Sequence, residues 1–138
     1  MTARWLVPTV IYVLAVGAIG VTGGRALRSL HWQDLLVWTA IGYAIVAIVI
    51  LARGEAVLKL SSATAWAALS GALAIGGLIA FYVAIGHGEV SKVVPITAAY
   101  PLVTLALSVM FLAEPVTVVR CVGTGLVIAG VALVSSGR

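Results

Sequence analysis

Four hydroxyl side chains recur at helical spacing in one apolar stretch of the second half: Thr97, Tyr100, Thr104 and Ser108. Steps of three, four and four residues place them on one face of a helix. The face is polar but neutral. It can hydrogen-bond a solute without the cost of burying an ion. Pro95 and Pro101 lie in and beside the same stretch. Each proline removes a backbone donor and displaces the carbonyl four residues earlier, here those of Ser91 and Thr97. In lipid such groups must face protein or a wet cavity. Two readings are open for this face. It lines a path for a solute, or it belongs to a kinked helix whose hydroxyls bond neighbouring helices.

Aromatic side chains form a second candidate set. Tyr12 and Tyr43 fall near the middle of apolar runs, and Trp38 lies about a turn and a half into its own run. With Tyr100 they can wall a cavity for an amphipathic solute; singly, each reads as ordinary packing with its polar end bonded internally. Tyr82 and His87 come near the end of a third run, where His87 reads as a loop residue. A charge at mid-membrane costs about 2.5–3.5 kcal/mol on insertion scales, so a buried one marks function. None falls at mid-depth: Glu89, Lys92, Glu114 and Arg120 all lie within about a turn of a run's end. Residues 5–24 contain no acid. That argues against proton antiport through a buried carboxylate and against a cation-selective pocket. No Ser–His pair, carboxylate pair or metal-ligand cluster is present, so the sequence points to no enzyme, metal, cofactor, nucleotide or nucleic acid. The lone Cys121 sits in an apolar run and reads as a small hydrophobe.

The elements that carry these residues are set by hydropathy. Of 138 residues, 63% are hydrophobic and 9% charged. A soluble domain is about a quarter charged, so lipid is the solvent this chain fits. A spanning helix needs about 20 apolar residues. Five uncharged stretches qualify: Trp5 to Gly24, Leu35 to Ala52, Leu60 to Gly86, Val93 to Ala113, and about Val116 to Ser135 with Arg120 near its start. The connections hold nearly all the charge. Trp5, Trp32 and Trp66 suit interfacial belts. The expected fold is all-α, a polytopic membrane protein of five transmembrane helices. The first stretch is longer than a signal-peptide core and is followed by a poor cleavage sequence, so it is expected to stay as a span.

Five spans place the two termini on opposite sides. One side then holds Arg4, Arg53, Lys59 and Arg120; the other holds Arg25, Arg28, Lys92 and Arg138. An excess of Lys and Arg in short loops sets orientation. Here the count is balanced, so charge selects neither orientation, and insertion both ways round is expected.

The second half carries further punctuation. Gly88-Glu89-Val90-Ser91-Lys92-Val93-Val94-Pro95-Ile96 leads into Tyr100-Pro101-Leu102; Leu112-Ala113-Glu114-Pro115 follows, then Gly123-Thr124-Gly125 and Gly130. This pattern resembles the EamA-type domain of the drug/metabolite transporter superfamily. The resemblance implies that residues 1–138 form a single EamA-like transmembrane domain, half of a ten-helix inverted-repeat transporter. A second half would then come from another copy, inverted, and the balanced charges suit that antiparallel homodimer. The resemblance also favours the path reading, with Tyr12, Trp38, Tyr43, Thr97, Tyr100, Pro101 and Thr104 as substrate-binding residues. It makes Glu114 a family signature, read here as structural: an acid before Pro115 suits the start of the fifth span.

Small residues permit close helix contact in membranes. Gly17, Gly20 and Gly24 do so in the first span, and Gly71, Gly76 and Gly77 in the third. Gly123, Gly125, Ala129 and Gly130 in the fifth are the candidate dimer contact. The expected activity is transport of a neutral or zwitterionic metabolite by alternating access, in the inner (plasma) membrane, with lipid and a second copy as partners. The alternative is a non-transporting subunit that completes a related, inverted protein.

Overall fold

The computed structural model describes residues 4–56, 59–113 and 115–136. Among these every regular element is a helix, and five segments are long and apolar enough to cross a membrane. The chain divides into two compact units, one ending at His87 and one beginning at Gly88.

The first unit holds three continuous spans: α1 (Leu6–Ala26), α2 (Trp32–Ala52) and α3 (Ser62–His87). Pro8 falls in the first turn of α1, where the missing N–H has no intrahelical acceptor to lose. At the start of α2 the Asp34 carboxylate accepts from the His31 backbone N–H at 3.0 Å, and its charge complements the helix dipole. Gly54 ends α2 at φ 66°. Its N–H donates to the Leu51 carbonyl and that of Glu55 to the Ile50 carbonyl, a Schellman pair that needs a residue free to turn left-handed. Ser61 and Thr64 cap each other at the start of α3.

Helix α3 packs against both α1 and α2. The contact is concentrated at its C-terminal half, where Tyr82 and Ile85 are buried. Gly23 of α1 makes it possible. A Cβ at Gly23 would sit 3.2 Å from Ile85 Cδ1 and 3.6 Å from Leu35 Cδ2. The Tyr82 hydroxyl meets Thr39 Oγ1 of α2 at 2.9 Å. The Thr39 proton goes to the Leu35 carbonyl, also at 2.9 Å, so Tyr82 is the donor. This corrects the expected role of the glycines. Gly20 is buried as expected, but Gly17 faces open space, and the tightest contact falls on Gly23. Gly71, Gly76 and Gly77 also meet nothing within 4 Å, because they precede the packed zone of α3.

The second unit holds α4 (Val90–Thr97), α5 (Tyr100–Leu112) and α6 (Val118–Ser136). Helices α4 and α5 together make the fourth span, Val90–Leu112. The prolines were expected to disturb this span; the structure interrupts it with a turn at Ala98 and Ala99. Pro101 cannot donate to the Thr97 carbonyl. The chain tightens instead into three-residue bonds: Ala98 N–H to the Pro95 carbonyl (3.0 Å), Ala99 to Ile96 (3.1 Å) and Leu102 to Ala99 (3.1 Å). Pro101 is thereby left in the first turn of α5, where its ring is tolerated. Ala113 closes α5 at φ 51°. Thr117 caps α6, its Oγ1 accepting from the Arg120 N–H at 3.3 Å. Helix α4 packs against α6. Glu114 lies outside the described residues.

Candidate functional site

Helix α4 packs against α6, and a groove of about 590 Å³ lies between α5 and α6. One wall is Tyr100, Pro101, Thr104, Leu105, Ser108 and Leu112; the other is Arg120, Gly123, Thr124 and Val127. The volume lies within the range of small-molecule sites. Three of the four hydroxyl residues grouped by spacing, Tyr100, Thr104 and Ser108, lie on the α5 wall, and Thr97 does not.

Two hydroxyl protons in this wall are given to backbone carbonyls. Thr104 Oγ1 donates to the Tyr100 carbonyl at 3.2 Å, and Ser108 Oγ donates to the Leu105 carbonyl at 3.1 Å. Their oxygens keep lone pairs that can still accept. Arg120 supplies the opposite character. Its guanidinium donates from Nη1 to the Pro115 carbonyl at 3.4 Å and lines the groove near Leu112. The groove therefore combines apolar walls, the hydroxyl residues Tyr100, Thr104, Ser108 and Thr124, and the cationic Arg120.

Three comparisons place the chain among known proteins. Residues 3–136 match the EamA-like transporter family. The chain belongs to that family. An uncharacterized protein of Methanocaldococcus jannaschii is 30% identical over 100 residues, which make up 72% of this chain and 73% of the relative. The two are therefore of nearly equal length. No solved structure matches. The family and the five spans make this a multi-pass membrane protein of a transporter type.

The site residues expected in this EamA-like chain divide between the units. Tyr100, Pro101 and Thr104 share the groove. Thr97 ends α4, its hydroxyl turned back to the Val94 carbonyl at 2.7 Å, and it is outside the groove wall. Tyr12 on α1 and Trp38 and Tyr43 on α2 are each more than half exposed. Trp38 and Tyr43 are five residues apart, about 140° around α2, so a single cavity meets one of them rather than both.

The small residues of α6 also divide. Gly123 lies in the groove wall, and Gly130 follows it two turns later on the same side. Gly125 and Ala129 fall on the opposite side of α6. Spacing alone missed Arg120 and Thr124 as groove residues. The signal was present: both are four-residue neighbours on α6, and both share a side with Gly123 and Val127.

Proposed function

We propose that this EamA-like protein carries small solutes across the inner (plasma) membrane by alternating access, as an antiparallel dual-topology homodimer. The observation that carries the reading is the hydroxyl-bearing groove beside an interrupted span, in a chain of a transporter family. Discontinuous helices that line cavities are the usual place for transporter sites, because freed backbone groups there can meet solute or water. Tyr100, Pro101 and Thr104 contact the solute. Rocking of two inverted copies exposes the groove to each side in turn. The two end states are then related by symmetry.

The homodimer rests on the balanced basic residues, four on each side of the membrane in the five-span order. Gly125 and Ala129, spaced for close helix approach on the side of α6 away from the groove, are its candidate contact. The test is C-terminal topology, read with one reporter active only in the cytoplasm and one only outside. Comparable signal from both is the expected result. Signal from one alone would sink the homodimer and favour a subunit that pairs with a related inverted protein. Transport itself is tested by saturable uptake into liposomes containing the purified protein.

A further inference from the structure

We infer that Thr124 of α6 determines which solutes the groove takes: its hydroxyl donates to an oxygen of a neutral head group, and that group donates in return to the Thr104 and Ser108 oxygens of α5. The inference rests on reading the groove as the solute site. Every other threonine in the described helices gives its hydroxyl proton to a backbone carbonyl three to five residues earlier. Thr124 does not, although it lies inside α6, where the carbonyls of the preceding turn are the usual acceptors. It is half-buried and lines the groove. A hydroxyl in lipid needs a partner, and a solute in the groove supplies one.

The other lining groups set the chemistry of that partner. Thr104 and Ser108 have given their protons to the Tyr100 and Leu105 carbonyls and keep lone pairs. The Tyr100 hydroxyl, on the same wall, has no partner among the described residues and adds a second donor. The groove thus offers both donors and acceptors. It has no carboxylate among its described lining residues, so nothing offsets the desolvation of a cationic head. The Arg120 guanidinium is engaged with the Pro115 carbonyl and has a further interaction, and no contact with the solute is assigned to it. A neutral group with an oxygen to accept and a hydrogen to donate satisfies Thr124 and the α5 oxygens together. Leu105, Leu112 and Val127 offer apolar surface for its hydrocarbon body. Two sources fit this shared chemistry: primary amides and alcohols.

Four probes share one branched hydrocarbon body: 4-methylpentanamide, 4-methylpentan-1-ol, N,N-dimethyl-4-methylpentanamide and 4-methylpentanoate. Saturable binding of each to the full chain in lipid nanodiscs is measured against empty nanodiscs. The amide or the alcohol is expected to bind, and the tighter of the two identifies the source. The dimethyl amide accepts but cannot donate, and the carboxylate is an ion; both are expected to bind about tenfold more weakly or less. T124V keeps the shape of the side chain and removes its hydroxyl, and is expected to weaken the neutral probes about tenfold, the loss of one hydrogen bond away from water. T124S puts the hydroxyl back and should recover most of that loss. If neither variant folds, the ranking of the four probes on the native chain decides.

Uptake of the amide and the alcohol into liposomes, above that of protein-free liposomes, reads transport separately. Binding with the expected ranking but without uptake would retain this inference and sink the transport reading. A folded T124V that binds the neutral probes like the native chain would overturn the inference, leaving the Thr124 hydroxyl to water. So would a dimethyl amide or a carboxylate that binds as tightly as the amide and the alcohol. Failure of both neutral donors to bind would overturn it as well.

Discussion

The two units of this chain are built from equally apolar helices and use their polar groups in opposite ways. In the first, the Tyr82 hydroxyl is spent on Thr39, and Thr39 on the Leu35 carbonyl. Three unbroken helices close around that chain of bonds and around Gly23, where one missing Cβ lets α1 approach α3. In the second, the fourth span is broken at Ala98 and Ala99, and Thr104, Ser108 and Arg120 face a groove. In lipid a polar group must be satisfied: the first unit joins two hydroxyls across helices, and in the second Thr104 and Ser108 bond back to their own helix on a groove wall. The difference separates a unit with a packed centre from one with an open groove.

The comparison breaks most visibly at Gly23. Gly23→Leu should destabilise the first unit by about 3 kcal/mol through overpacking against Ile85 and Leu35. Thermal unfolding in detergent reads this, and an unchanged midpoint would remove the Gly23 contact as the organising feature. The site side is tested by Tyr100→Ala. Uptake should fall about tenfold, equivalent to about 1.4 kcal/mol, while the melting midpoint holds. Native uptake would take the hydroxyl face out of the solute path.

Gly125→Leu sharpens the contrast between helix faces. Nothing lies within 4 Å of a Cβ at Gly125. The chain's own stability should hold, while dimer dissociation in detergent, followed by light scattering, should rise about tenfold if a second copy docks there. A dimer of unchanged strength would move the interface elsewhere. Tyr82→Phe should cost only about 0.6 kcal/mol, a typical net value for a hydrogen bond between membrane helices. A loss several times larger would mean that Tyr82 does more than join α2 to α3. The smallest expected effect is none at all: uptake should be indifferent to a pH gradient across the liposome. A clear dependence would turn attention to His87 and Glu89.

Much of this was legible beforehand, for identifiable reasons. Hydrocarbon thickness imposes a length on every span, and charge is excluded from its middle. Apolar runs therefore report helices with bounds good to a few residues, as Leu35 to Ala52 against the observed Trp32–Ala52 illustrates. The hydroxyl face was legible because helical periodicity is a local property, and Tyr100, Pro101 and Thr104 share one wall as their spacing requires. Pro101 announced a disturbance, since a residue without an N–H cannot close a helical bond.

Contacts between helices were not legible. Gly17, Gly20, Gly23 and Gly24 look alike in sequence, and the choice of Gly23 depends on where Ile85 and Tyr82 of α3 arrive. Likewise Arg120 reads alone as a charge at a span end. It becomes a groove residue only because α5 and α6 come to line the same groove. The sequence by itself determined the spans, their polar faces and the even distribution of basic residues, because each follows from solvent and local periodicity. Which glycine lets helices meet and which side chains share the groove were decided by tertiary structure alone. Those outcomes depend on residues distant in the chain arriving at the same place.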